Sequence, residues 1–120
     1  MAHRILSISY DDTLLQTREL MLEMRGHDVT SSYGFTASLE ECRKAGWELL
    51  IMGHSIPAAD KEALMAEFRR HSEAPVLALH RMGESRLDGA VQTLTPDHPE
   101  QLLEAVDRIF AERRLGADPN

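Results

Sequence analysis

Two histidines, a serine and two aspartates are the side chains of this sequence best placed to do chemistry. The apolar run ending at Met52 stops at Gly53 and continues His54, Ser55, Ile56, Pro57. A second apolar run, Pro75-Val-Leu-Ala-Leu79, is followed by His80, and a third, Arg4-Ile-Leu-Ser-Ile-Ser9, by Tyr10, Asp11 and Asp12. A serine on a sharp strand-to-helix turn can act as a nucleophile if a histidine and an acid activate it and a second glycine allows close packing. Pro57 stands where that glycine would be. Of the later histidines only His80 follows a strand, and His98 falls in the first turn of a helix. Ser55 is therefore expected to cap or turn the chain into the helix that follows. His54, His80 and Asp11 (or Asp12) could instead form a two-histidine, one-carboxylate cation site, because neutral imidazole binds zinc, nickel or iron. A solvated polar rim, a pH-sensing contact and a phosphohistidine are the other readings of the two imidazoles. Cys42 has no base or cation in view and is expected to be a small packing residue.

The positions of these groups depend on the elements that carry them. Arg4–Ser9 reads as a strand, and residues 11–25 follow helical spacing, with Leu14, Leu15, Arg18, Leu22 and Arg25 on one side. Asp11 or Asp12 can cap that helix, and Gly26 suits a left-handed stop. His27–Ser32 is a weaker, more polar strand. Ser38-Leu-Glu-Glu41 has the form of a capping box for a short helix ending at Gly46. Glu48–Met52 is continuously apolar, as in a strand covered on both faces, and Trp47 before it is expected to plug the core. Pro57 opens a helix over Asp60–His71, with Leu64, Met65 and Phe68 inward. Pro75–Leu79 and Ala90–Leu94 read as strands and Asp97–Arg114 as the last helix, its inward residues Leu102, Leu103, Val106, Ile109 and Phe110. The stretch His80–Gly89 is poor in periodic apolar residues.

Strands alternating with helices at this spacing predict right-handed crossovers and a parallel α/β sheet. In such a sheet ligands bind beyond the carboxyl ends of the strands. That rim is made of Ser9–Asp12, Gly53–Ser55, His80-Arg81 and Thr95-Pro96. The chain has 120 residues, 42% hydrophobic and 28% charged, enough for one domain and one core. The expected boundaries are 1–116 for the domain and 117–120 for a frayed tail. A formal net charge of -7 argues against a nucleic-acid partner. No apolar run reaches the roughly 20 residues that span a bilayer. With one cysteine and no leader pattern at the start, the expectation is a reducing, cytoplasmic setting.

From about Ala2 to Arg114 the sequence resembles a response-regulator receiver domain of the CheY-like, flavodoxin-like type. The resemblance is carried by the first strand with its acidic helix start and by Arg25-Gly-His-Asp-Val29. Trp47-Glu-Leu-Leu-Ile-Met52 with Ile56-Pro57 and Asp60, Pro75-Val-Leu-Ala-Leu79, and Thr95-Pro96 complete it. It implies a three-layer sandwich with a five-stranded parallel sheet in the order 2-1-3-4-5, helices on both faces, and a fourth helix that is short or absent here. Receivers carry an acidic pair at the end of the first strand to bind a divalent cation, and Ser9 and Tyr10 hold those places. The phosphate-accepting aspartate is replaced by Gly53, a threonine or serine by His80, and a lysine by Thr95. Phosphoryl transfer needs the acceptor, the metal and a cation to clamp the phosphoryl oxygens.

The resemblance therefore implies an atypical receiver, a pseudo-receiver without a phosphoacceptor. Its degenerate pocket would be lined by Ser9, Tyr10, Asp11, Asp12, Gly53, His54, His80 and Thr95, with Tyr10 filling the emptied acidic site. No enzymatic activity and no cofactor are expected. The implied work is phosphorylation-independent recognition of a signalling protein, or self-association, in bacterial-type signal transduction. The implied surface is the side formed by the fifth strand, the last helix and the trimmed segment. The alternative is a small-molecule or metal-binding module using His54, His80 and Asp11.

Overall fold

The structure, a computed structural model, describes residues 3–80, 87–94 and 99–117. Five strands form one parallel sheet: β1 (Arg4–Ser9), β2 (Asp28–Tyr33), β3 (Leu49–Met52), β4 (Val76–His80) and β5 (Val91–Leu94), in the spatial order β2-β1-β3-β4-β5. Four helices accompany them: α1 (Asp12–Met24), α2 (Phe35–Cys42), α3 (Ala58–Arg69) and α4 (Pro99–Ala117). Residues 81–86 and 95–98 lie outside the described residues, and with them part of the segment between His80 and Thr95 that was expected to lack a full helix, the site residue Thr95, and His98. Residues 118–120 of the expected tail also lie outside them. Helix α4 runs on to Ala117, past the predicted end at Arg114, and residues 87–90 form a turn that leads into β5.

Side-chain alternation along the strands builds two cores, one on each face of the sheet. Ile5 of β1 and Leu49 and Ile51 of β3 face α1 and α4, and pack with Leu22, Leu102, Val106, Ile109 and Phe110. Leu6 and Ile8 of β1 and Leu50 and Met52 of β3 face α2 and α3, and pack with Cys42, Trp47, Leu64 and Phe68. Each of these large side chains contributes about 1.5–3 kcal/mol by leaving water. The register Ile5↔Leu49, Ser7↔Ile51 places the ends of β1 and β3 side by side. It brings Ser9 and Gly53 to the same rim.

Local chemistry explains most of the boundaries. Asp11 caps α1, its carboxylate accepting from the Leu14 N–H at 3.1 Å. Gly26 ends the helix with φ 89°, a conformation costly for any residue with a Cβ. The capping box expected at Ser38 does not form. The cap of α2 is Gly34, Ser38 lies inside the helix and is fully buried, and its hydroxyl bonds Ser32 Oγ at 2.9 Å. The chain enters that helix four residues earlier because Gly34, at φ 87°, turns directly out of β2. Helix α3 likewise starts at Ala58, before the predicted Asp60, with Pro57 as its cap residue and no side-chain cap bond.

Candidate functional site: a rim rebuilt around Arg18

Alternation along β1 sends Ser7 and Ser9 to the face of the sheet that α1 covers. Along β3 it sends Ile51 to that face and leaves Gly53 at the rim directly after it. The covering surface of α1 is the stripe Leu15, Arg18, Leu22, spaced three and four residues apart. Arg18 thus stands on the core side of its helix with 5% of its surface exposed. The absent side chain of Gly53 gives it room. A Cβ built on Gly53 would lie 2.7 Å from Arg18 Nη1, and 3.4 Å from both the Ile8 carbonyl oxygen and Ser9 Oγ. The place next to β3 where a side chain would start is held by a guanidinium.

Burial lowers the pKa of Arg18, and the nearby charge of Asp11 opposes that shift without cancelling it. Among the described residues the guanidinium makes no hydrogen bond and no ion pair. The sequence had placed Arg18 on the apolar side of its helix. A cation on a core stripe, opposite a strand that ends in glycine, occupies the space that the glycine leaves.

Hydroxyls and backbone tie the ends of β1 and β3 together. Ser9 Oγ accepts from the Asp11 N–H at 3.0 Å, lies 3.1 Å from the Asp11 carbonyl oxygen, and shares a 3.1 Å hydrogen bond with Ser55 Oγ. Ser55 Oγ also accepts from the Tyr10 N–H at 2.9 Å. Ser55 is therefore not the cap of α3; it stands in the turn closed by the Ile56 N–H to Gly53 carbonyl bond that leads into the helix, the other reading of the sequence. It ties the end of β3 to the end of β1.

Tyr10 does not fill the emptied pocket. It turns toward the other face, packs against the α2–α3 core, and donates its hydroxyl to Asp60 Oδ2 at 2.8 Å. Burial, the hydrogen bond to Asp60 and the charge of Asp60 together raise its pKa well above the usual value for a phenol. Tyr10 and Arg18 leave the end of β1 on opposite sides because residue 10 lies beyond the strand while Arg18 comes from the helix above it.

A second buried cation reaches the rim from an unexpected element. Lys61 of α3 is 4% exposed, and its Nζ donates to the Leu79 carbonyl at the end of β4 at 2.8 Å. It falls on the inner stripe with Leu64 and Phe68, where Met65 was expected; Met65 is only partly buried. The cation site suggested by His54, His80 and Asp11 does not assemble. Among the described residues no three histidine, cysteine, aspartate or glutamate side chains are arranged so that they could hold a metal ion. The Asp11 carboxylate is engaged by the first turn of α1, and Asp12 bonds Gln16 Nε2 at 3.0 Å on the exposed side of the same helix.

Two expectations away from the rim hold. Trp47 is buried, its indole N–H donating to the Glu41 carbonyl at 2.8 Å. Cys42 is fully buried and its thiol is pushed up to about 12, mainly by burial, so it packs and does not react.

A parallel sheet in this order, with two helices on each face, has many solved counterparts. One is the receiver domain of the Francisella response regulator 1452, 16% identical, covering 92% of this chain and 98% of its own, with a TM-score of 0.77. Its fold is that of response-regulator receiver domains. The chemotaxis response regulator CheY4 of Vibrio cholerae is similar at 18% identity and a TM-score of 0.72, over 91% of this chain and 99% of its own. So is the receiver domain of the sensor histidine kinase PA1611 from Pseudomonas aeruginosa, at 18% identity and a TM-score of 0.76, over 92% of this chain and 99% of its own. That protein holds a magnesium ion in its active-site cleft. No family model matches the sequence, and no curated protein is a close match to it. At these identities the likeness establishes the fold. Among the described residues, no helix of this chain is long and apolar enough to cross a membrane.

Proposed function

We propose that this chain is a pseudo-receiver: a receiver fold that works in signal transduction by binding another protein, without being phosphorylated. The observation that carries this reading is the guanidinium beside Gly53. A receiver's chemistry requires a carboxylate nucleophile at that position and a divalent cation next to it. Here the nucleophile is absent, and a permanent positive charge stands 2.7 Å from where its side chain would begin. A second cation is repelled by the first, and Ser9 offers no charge to hold it.

The working surface in this reading is the side of β5 and α4. Strand β5 is an edge with a single neighbour, β4, and Val91 at its start is 46% exposed. An edge strand offers unpaired backbone groups to a partner. The partner is a signalling protein or a second copy of this chain, in the cytoplasm, and the domain is not itself an enzyme. Incubation with acetyl phosphate and magnesium, followed by intact-mass measurement, tests the reading. The expected result is an unchanged mass. A phosphoryl adduct mapped to any aspartate would overturn it.

A further inference from the structure

Sheet order leaves β2 with one neighbour, β1, and no described strand beyond it. Parallel pairing uses the backbone groups of alternate residues on each side of a strand. The Asp28 N–H donates to the His3 carbonyl at 2.9 Å, so Asp28, Thr30 and Ser32 turn their amides and carbonyls toward β1. Val29, Ser31 and Tyr33 turn theirs away from the sheet, in a strand with no proline or lysine to block further pairing. The helix above this edge supplies side chains to match. Arg25 pairs with Asp107 at 2.7 Å and marks the side of α1 that faces α4. Glu19 and Glu23 each follow a buried residue, Arg18 and Leu22, and so lie about 100° further round the helix, on the side toward β2. Leu20 and Met24 stand beyond them, 62% and 80% exposed. Tyr33, 58% exposed, shares the α1 face of the sheet with Val29. Three of the four large apolar side chains exposed among the described residues thus border one edge.

We propose that this edge binds an extended, basic segment of another protein, which adds to the sheet beside β2. The outward backbone groups supply its main-chain hydrogen bonds, and alternate side chains of the segment fall on the α1 face. An arginine or lysine there lays its stem over Leu20 and Tyr33 and carries its charge to Glu19 and Glu23. A second copy of this chain does not fit. Pairing β2 with itself about a two-fold axis sets two α1 helices side by side, each bringing Glu19 and Glu23 against the same carboxylates of the other, in a chain whose formal net charge is -7. The surface lies at the opposite edge from β5 and does not depend on the pseudo-receiver reading.

The test is fluorescence anisotropy of a labelled hexapeptide of alternating arginine and valine, titrated with the full chain. Saturable binding is expected. N-methylation of one alternate set of the peptide's amides should weaken it at least about tenfold, and of the other set leave it unchanged, because only one set faces β2. Ser31→Pro, which removes an outward N–H from an edge strand, should weaken it as much. Glu19→Lys/Glu23→Lys should abolish it; both carboxylates lie outside the two cores, so this variant should fold. If Ser31→Pro does not fold, the two methylated peptides answer the same question. No saturable binding by the wild type overturns the proposal. So does equal affinity for the two methylated peptides, which would mean attraction by charge alone, and so does undiminished binding in a folded Ser31→Pro or in Glu19→Lys/Glu23→Lys.

Discussion

Arg18 and Gly53 form a matched pair in which each explains the other. A long cation on the inner stripe of α1 needs a gap, and a glycine at the end of β3 needs something to cover it. Gly53 does not adopt a positive φ, so the backbone alone does not require glycine there. The obstacle to a larger residue is the end of a flexible side chain. A carboxylate introduced by Gly53→Asp should therefore be accepted and pair with the guanidinium. In a double-mutant cycle with Arg18→Met, urea unfolding should give a favourable coupling of about 1–3 kcal/mol; zero coupling would mean the two groups do not meet. Ser55 is the other residue whose role only the fold reveals. Ser55→Ala leaves the Tyr10 N–H without its acceptor, and a loss of about 1–3 kcal/mol is expected by the same measurement. The sequence offered Ser55 as a cap or turn residue because it precedes a helix, and the turn is what forms. Its partners, Ser9 and Tyr10, are brought to it by strand register, which no local pattern encodes.

At the scale of elements, the periodicities were legible and several of the contacts between elements were not. Alternation and helical spacing located every strand and helix described, to within a few residues. The capping box at Ser38 failed because a glycine with positive φ could start the same helix earlier, so two local signals competed and backbone geometry decided. A cluster at the amino ends of the strands was invisible for a different reason: its members come from four separate segments. The His3 ring stacks on Phe110 of α4 at 3.8 Å, and His27 tilts against both, 5.6 Å from His3. Glu48 bonds His3 Nδ1 at 3.0 Å, and Arg25 of the turn after α1 pairs with Asp107 of α4 at 2.7 Å. Burial, followed by the neighbouring His3, lowers the pKa of His27 from its usual 6.5. A lowered imidazole pKa means the unfolded chain binds the proton more readily. The associated stability is present above pH 6.5 and is lost as pH falls through that value toward the folded pKa. Thermal melting from pH 8 to pH 5 should show this loss, and His27→Phe should flatten it. Glu48, whose pKa is lowered chiefly by the bond from His3, acts further down: its contribution is present above its usual 4.5 and is lost below it.

For the whole molecule, two apolar cores specify the sandwich, and among the described rim residues only Tyr10 packs against one of them, so most of the rim can change without loss of the architecture. This is why a sequence only 16–18% identical to the solved receivers still superposes on them over more than nine-tenths of its length. Arg18 and Lys61 were not legible as rim residues because they arrive from helices distant in the chain. Because both bring positive charge to the rim, magnesium should raise the melting temperature no more than sodium chloride of equal ionic strength. A specific, saturable increase would show a divalent site that this arrangement does not provide.

The account depends most on where one guanidinium sits. Nuclear Overhauser spectroscopy of the folded chain at low temperature, where guanidinium protons exchange slowly, locates it directly. The expected result is a cross-peak between the Arg18 side-chain N–H protons and the Gly53 α-protons, with Arg18 Nε–H protected from exchange. An Arg18 side chain in rapid exchange with water, showing contacts only to its own helix, would contradict the account.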